Sequence, residues 1–286
     1  METRRASQEK EERMKIGYLG PPGSFSHEAA LKFARTARFV KAADMVALSS
    51  FDLITAIEEG EIPRVVLPLE NSIEGSVNWV FDLFFRNSFS FLIEAEVVWP
   101  IIHHLIGFGK ISGVKTVYSH PQALAQCRKF LGKLRVGTKD TDSTSEAVRL
   151  VAEKKDPKIA AIGTKQAAKL YRARIIESDI QGSSNNQTRF IVLGNRERRR
   201  TGRDKTSFVF GTEDKPGALL RVLEVFDVLE VNMTMIFSRP SKKRLGEYIF
   251  FVDVEAHQNG EDLRVAFGKI KGRVSFLRIL GSYPSA

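Results

Sequence analysis

From residue 15 onward, short apolar runs alternate with amphipathic stretches, each pair separated by a turn rich in Gly, Pro, Ser or Asn, and this alternation narrows the choice of fold more than any other feature. It builds a mostly parallel sheet covered by helices on both faces. The runs 15–19, 65–69, 114–119, 135–138, 159–162 and 189–193 predict strands. Gly20-Pro21-Pro22-Gly23 ends the first, Ser24 or Ser26 caps the following helix, and Ala30, Phe33 and Ala34 give that helix its apolar side. After 65–69 comes the polar loop Glu70-Asn71-Ser72-Ile73-Glu74-Gly75-Ser76, then a helix with Val77, Val80, Phe81 and Phe84 at i, i+3, i+4 and i+7. Ser143-Thr144-Ser145-Glu146 matches a capping box before Ala147, Val148 and Val151, and a further helix runs through Ala167, Ala168 and Tyr171. A late strand returning after a middle section implies two lobes joined by a hinge, with a ligand cleft between them.

The pattern changes after a basic stretch, in which Arg196, Arg198, Arg199, Arg200, Arg203 and Lys205 outnumber Glu197 and Asp204. Strands at 206–210, 232–237, 247–254 and 274–280, with helices at 217–229 and 261–270, spell βαββαβ, an α+β ferredoxin-like unit. At 286 residues the chain has room for two cores, so the expected division is a disordered extension at 1–14, a large domain at 15–194, a solvated basic linker at 195–205 and a small domain at 206–286. Residues 1–14 are charged, without the apolar centre of a signal peptide. The longest apolar stretch, 97–109, contains Pro100, His103 and His104 and is too short for a bilayer, so no membrane partner is expected and the chain reads as cytoplasmic. Cys127 shares helical spacing with Leu124 and Leu131, which places it on a buried helix face. Much of the formal charge excess of +10 is local to the basic stretch and is unaccompanied by a nucleic-acid motif; a generally basic surface instead helps to attract a doubly negative small molecule.

Three strand ends carry hydroxyls, amides and backbone N–H groups: Glu70-Asn71-Ser72, Ser119-His120-Pro121-Gln122 and Asn186-Gln187-Thr188-Arg189-Phe190. Any one of them alone reads as helix capping. Three together, with Arg189, predict a carboxylate-binding cleft, to which helix N-termini contribute roughly 0.3 to 1 kcal/mol each. His103 and His104 are adjacent and face opposite sides of a strand, and only His27, His120 and His257 lie elsewhere, so no metal site is expected. The turn at 20–23 lacks the spacing of a phosphate loop, and no cofactor is expected.

These motifs carry a resemblance. In Gly17-Tyr18-Leu19-Gly20-Pro21, Ser24-Phe25-Ser26-His27, Leu67-Pro68-Leu69-Glu70-Asn71-Ser72, Ser119-His120-Pro121-Gln122-Ala123-Leu124 and Thr188-Arg189-Phe190, residues 14–194 resemble the prephenate dehydratase family. Residues from 206 onward resemble that family's ACT domain, in Pro216-Gly217-Ala218-Leu219-Leu220 and Ser238-Arg239-Pro240. The resemblance implies a two-lobed α/β dehydratase domain, periplasmic-binding-protein-like with a cleft between lobes, followed by an ACT domain. It implies decarboxylating dehydration of prephenate to phenylpyruvate in phenylalanine biosynthesis. Arogenate dehydratase is the alternative substrate class, and a non-catalytic aromatic amino-acid sensor is the alternative of another kind.

By resemblance Thr188 engages the departing hydroxyl, and because a threonine hydroxyl is a poor acid, Glu70 or His120 is expected as the ultimate proton source. Asn71, Ser72, Ser119, Ser143 and Thr144 complete the expected surroundings with Phe190, while Arg189, alternating with Thr188, is expected to brace the lobes. The ACT resemblance implies an L-phenylalanine site at Gly217, Ala218, Leu219, Leu220, Met233, Ser238, Arg239 and Pro240, with Asp214 or Asn232 accepting the ammonium group. It also implies a homodimer or homotetramer under feedback control. One departure stands out: the family pattern has Glu before Ser-Arg-Pro, whereas this chain has Phe237.

Overall fold

The computed structural model describes residues 14–36, 43–86, 90–241 and 246–286, so the charged extension lies, except for Met14, outside the described residues. The chain divides into two compact units, Met1–Gly75 with Val97–Phe190 and Ser76–Glu96 with Ile191–Ala286.

The first unit is built on two sheets. One follows the order Ala43–Leu48, Met14–Leu19, Arg64–Asn71, Gln187–Gly194, Leu92–Pro100, the last two strands reaching past the unit's limits. Met14–Leu19 pairs in parallel with both neighbours. The other sheet follows the order Arg174–Glu177, His104–Gly107, Ile159–Gly163, Thr116–Ser119, Gly137–Asp140. Thr116–Ser119 is parallel to both its neighbours, and His104–Gly107 runs antiparallel to Ile159–Gly163. All five residues of Ile159–Gly163 are buried, as a central strand with helices on both faces requires.

Several elements depart from the expected pattern for local reasons. Asn71 and Glu70 belong to the strand Arg64–Asn71 and not to the loop after it. The expected strand 135–138 lies at Gly137–Asp140, because Arg135 has φ 54 and ends the helix Arg128–Leu134 in the left-handed region. Every residue of Gly137–Asp140 is exposed, so no apolar run marks this edge strand. The strand Ala43–Leu48, the helix Ser50–Glu58 and the strand Arg174–Glu177 carry too little periodicity to stand out in the sequence. Cys127 is fully buried among Leu124, Leu131 and Val117, but it sits at the break between the helices Pro121–Gln126 and Arg128–Leu134. Burial pushes its thiol up to about 12, which leaves it inert as a nucleophile at neutral pH.

The turn after the first strand ties the two sheets together. Ser24 Oγ accepts from His27 N at 3.3 Å and so starts the helix Phe25–Thr36. Thr164 Oγ1 donates to Gly23 O at 2.6 Å, and Ser145 Oγ donates to Pro22 O. Gly23 has φ +87, and a Cβ there would stand 2.6 Å from Ser145 Oγ and 3.0 Å from Ala167, so only glycine allows this approach.

The second unit holds the antiparallel sheet Met233–Pro240, Tyr248–Val254, Asp204–Gly211, Phe276–Pro284, which with the helices Ala218–Val228 and Glu261–Ile270 completes the βαββαβ order. One face packs Phe208, Phe210, Phe250 and Val252 against Val222, Phe226, Leu263 and Ala266 of the two helices. The opposite face receives the short helix Asn78–Phe84: Phe81 meets Phe251 at 5.0 Å and Phe237 at 4.3 Å between ring centroids, and Phe84 meets Phe251 at 5.5 Å. Both faces of 249–254 are therefore buried, which is why that strand reads as a strongly apolar run. This packing also puts 76–96 in the second unit although it precedes the basic stretch by a hundred residues of sequence distance.

That stretch is mostly exposed but is anchored at three points. Glu94, 1% exposed, accepts from Arg196 N at 2.9 Å and from the Arg198 guanidinium at 3.3 Å; Lys205 Nζ reaches Glu96, also buried, at 2.9 Å. Two buried carboxylates need cationic partners, and this segment provides them.

Candidate active site

Arg64–Asn71 and Gln187–Gly194 are neighbours in the first sheet, the C-terminal end of one beside the start of the other, and the polar strand ends meet there. Ser72 locks the junction: its N–H donates to Gln187 O at 2.9 Å, its Oγ donates to Asn185 O at 2.8 Å, and the same Oγ accepts from Gln187 N at 3.0 Å. Asn71 Oδ1 accepts from the backbone N–H groups of Ile73 and Glu74, both at 2.9 Å, which folds the loop back over the strand end. Its Nδ2 shares two hydrogens among Asn186 Oδ1 at 2.7 Å, Thr188 Oγ1 at 2.9 Å and Gln187 O at 3.1 Å.

Alternation along a strand sends neighbours to opposite faces, and the partners follow it. Asn71 pairs with Thr188, whereas Glu70 pairs with Arg189, whose Nη1 lies 3.2 Å from Glu70 Oε1. Arg189 is 7% exposed, and its bond to Glu70 braces neighbouring strands of one sheet. Phe190 is buried at 2% exposure and serves the core beneath. Glu70 thus lies away from the Thr188 hydroxyl.

The remaining expected residues lie in the second sheet. Ser119 is fully buried and its hydroxyl donates to Ile162 O at 2.8 Å. His120 is the N-cap of Pro121–Gln126, its Nδ1 accepting from Gln122 N at 3.3 Å. Ser143 caps Thr144–Lys154 by accepting from Glu146 N at 3.0 Å, while the Glu146 carboxylate turns to Arg149 at 2.6 Å, so the capping box is half formed. Thr144 is the first residue of that helix.

The structure adds Gln126, which no polar strand end marks, and joins it to Asn186. Gln126 Oε1 accepts from Asn186 Nδ2 at 3.0 Å, and Gln126 Nε2 donates to Glu74 Oε1 at 3.1 Å. Asn186, 2% exposed, thereby joins Gln126 to Asn71. Asn186 was visible as part of a polar strand end, but Gln126, one polar residue on an ordinary helix, had no local signal. Both line a cavity of about 330 Å³ with Ile73, Ala125, Gln181, Gly182 and Ser183, a size that suits a small ligand.

In the ACT-like sheet, Asn232 Nδ2 donates to Glu255 Oε2 at 2.7 Å, and Asp214 stands against Gly246, where a Cβ would come within 2.4 Å of its Oδ2. Gly217, at φ 74, is the N-cap of Ala218–Val228; Ala218 is buried, Leu219 half-buried and Leu220 exposed. Met233 packs toward the helices, and Ser238 and Pro240 are exposed. Arg239 forms a two-pronged ion pair with Asp82, both bonds at 3.0 Å. Among the described residues, no three His, Cys, Asp or Glu side chains group as a metal site, and no helix is long and apolar enough to cross a membrane.

A two-sheet α/β unit with an amide and hydroxyl cluster at one strand end beside a small cavity, followed by a ferredoxin-like βαββαβ unit, defines a two-part protein with a candidate small-molecule site. The model of the family described as prephenate dehydratase matches residues 16–198, and that of the ACT domain matches 206–269. The chain belongs to the prephenate dehydratase family. The prephenate dehydratase of Methanocaldococcus jannaschii is 40% identical over 270 residues, covering 93% of this chain and 97% of that one. The crystal structure of prephenate dehydratase from Arthrobacter aurescens in complex with L-Phe matches with a TM-score of 0.86 at 28% identity, covering 96% of this chain and 90% of that one. A protein described as a quorum quenching acylase matches with a TM-score of 0.85 at 25% identity, covering 95% and 98%, so fold alone does not select the reaction.

Proposed function

We propose that the chain is a prephenate dehydratase, a decarboxylating carbon–oxygen lyase with its catalytic part at 15–194 and a phenylalanine-sensing ACT domain at 206–286. The observation that carries the reading is the direction of one hydrogen bond. Asn71 donates to Thr188 Oγ1, so the Thr188 oxygen acts there as acceptor and its hydrogen remains to donate to a substrate oxygen.

The chemistry asks for little more. As the ring carboxylate leaves as carbon dioxide, the electron pair of the broken C–C bond moves into the ring and expels the hydroxyl, which leaves as water after gaining one proton. Aromatisation drives the step. A hydrogen bond that strengthens as charge grows on the departing oxygen lowers the barrier selectively. Thr188 supplies that bond in this reading; with Glu70 engaged by Arg189, His120 through its Nε2 or solvent is the proton source. Ser143 and Thr144 start the helix Thr144–Lys154, and Ser119 ties its strand to Ile162.

The direct test is formation of phenylpyruvate from prephenate, followed by its absorbance in alkali, with arogenate as the competing substrate. The wild-type chain is expected to convert prephenate; conversion of arogenate alone would move it to the arogenate reading, and conversion of neither would leave a sensor. The two substrates differ in an ammonium against a keto group, which this amide-rich site does not separate by charge.

The regulatory half of the reading places L-phenylalanine near Asp214, Gly217 and Ser238 in a homodimer of a cytoplasmic enzyme. The side chains of Phe237 and Arg239 are already committed to Phe81 and Asp82, so effector binding has to compete with or spare those contacts. Isothermal titration of the intact protein with L-phenylalanine is expected to show binding, and turnover is expected to fall with it. Absence of heat at any concentration would remove the effector assignment while leaving catalysis untouched.

A further inference from the structure

The polarity of the amide chain beneath Thr188 is set from the one end that admits no choice. Backbone N–H groups only donate, and those of Ile73 and Glu74 both reach Asn71 Oδ1. Asn71 must therefore turn its Nδ2 toward Asn186 and Thr188. Asn186 meets it with Oδ1 and presents Nδ2 to Gln126 Oε1. That oxygen is thus an acceptor, and His103 Nε2, 3.0 Å from it, has to be a donor. The imidazole carries its hydrogen on Nε2, leaving Nδ1 a bare acceptor, and Nδ1 is buried without a partner. A hydrogen on Nδ1 would be an unsatisfied buried donor, which is more costly than an idle lone pair.

We propose that His103, as the neutral Nε2–H tautomer, is a positioning residue of this site, holding the Gln126 amide and through Asn186 and Asn71 the donor that faces Thr188 Oγ1. The inference rests on the dehydratase reading of the site. His103 is itself fixed: it is 3% exposed, its N–H donates to Gln181 Oε1 at 2.9 Å, its carbonyl accepts from Ile180 N at 3.0 Å, and the Phe25 ring meets its edge at 5.4 Å. Burial lowers the imidazole's pKa, only partly opposed by the bond to Gln126, and the neighbouring His104 lowers it further, so the ring stays neutral at neutral pH.

Without that donor, half a rotation of the Gln126 amide would set its Nε2 against Asn186 Nδ2. Asn186 would have to turn in response, presenting Nδ2 to Asn71 Nδ2, and the loop amides at 73 and 74 would then compete with Thr188 for Asn71. Glu74 holds the other end of Gln126 in the native sense, but from an exposed position where water weakens it. Loss of His103 should therefore slow the reaction without abolishing it.

His103→Leu is expected to lower kcat for prephenate about ten- to a hundred-fold with KM near native, the range for losing a group that orients an acting residue. His103→Gln, which can place an N–H where Nε2–H stood, is expected to restore most of the loss. The double variant His103→Leu with Gln126→Leu is expected to be no slower than Gln126→Leu alone, since both act through one amide. Native kcat in His103→Leu, a glutamine variant as slow as the leucine one, or multiplying effects in the double variant would each overturn the proposal. Imidazole 15N–1H correlation spectra at neutral pH, with His103 assigned by the signals lost in His103→Gln, should show Nε2–H; an imidazolium or an Nδ1–H ring would overturn it too. If the wild-type chain forms no phenylpyruvate, it is the dehydratase reading that fails, and the spectra still decide the tautomer.

Discussion

Thr188→Val is expected to leave prephenate binding near native and to lower kcat about a hundred- to a thousand-fold, the usual cost of removing one hydrogen-bond donor to charge that develops in the transition state. Valine keeps the branched shape that suits the strand and changes only the hydroxyl. The substitution should be nearly silent for folding: Thr188 is 7% exposed, and Asn71 Nδ2, which loses Thr188 Oγ1, retains Asn186 Oδ1 and Gln187 O as acceptors. A loss in kcat at unchanged KM is the signature of an interaction made mainly in the transition state. The measurement is steady-state phenylpyruvate formation beside a thermal melt, and near-native kcat would take Thr188 out of the reaction.

Phe81→Ala should cost about 3 to 5 kcal/mol of stability, the range for emptying a buried phenylalanine site. Phe81 is fully buried, with ring centroids 4.3 Å from Phe237, 5.0 Å from Phe251 and 6.5 Å from Phe84. Asn78–Phe84 has seven residues and its N-cap Val77 makes no side-chain capping bond, so the helix has little stability of its own. Its place depends on this aromatic cluster and on the ion pair of Asp82 with Arg239 at 2.9 Å. Urea unfolding should show the loss, and hydrogen exchange should show early release of amides in 78–84. A change below about 1 kcal/mol would mean the cluster is redundant, since it would approach the range of about 0.5 kcal/mol usual for surface substitutions.

The same cluster gives a physical reading of Phe237. Where the family resemblance calls for Glu, an aromatic ring stacks on Phe81, and a carboxylate there would be placed against Phe81 with its charge partly desolvated. The substitution therefore exchanges a ligand acceptor for packing. Deciding whether L-phenylalanine still binds is accordingly a test of the ACT domain and independent of the dehydratase site.

How much was legible in the residues differs from element to element. The strands at 65–69, 159–162 and 189–193, the capped helix after Ser143 and the whole βαββαβ order could be read directly, because apolar period and capping chemistry are local. Gly137–Asp140 was displaced because an edge strand with four exposed residues has no period to read. The anchoring of the basic stretch has no local signal because its partners, Glu94 and Glu96, lie about a hundred positions earlier. Asn71, Ser72 and Thr188 stand out as polar strand ends, whereas nothing local connects Gln126 and His103 with them.

The residues alone determined that there are two folds, which strand ends are polar, and that Thr188 and Arg189 face opposite ways, since each follows from spacing along a single segment. Tertiary structure decided which face is which: it set Thr188 beside Asn71 and Arg189 beside Glu70, 117 and 119 positions apart, by making their strands neighbours in one sheet. It also decided the direction of the hydrogen bonds from His103 to Thr188, because an amide's orientation is settled only by the donors and acceptors that folding brings to it, and here the backbone amides of Ile73 and Glu74 leave one arrangement.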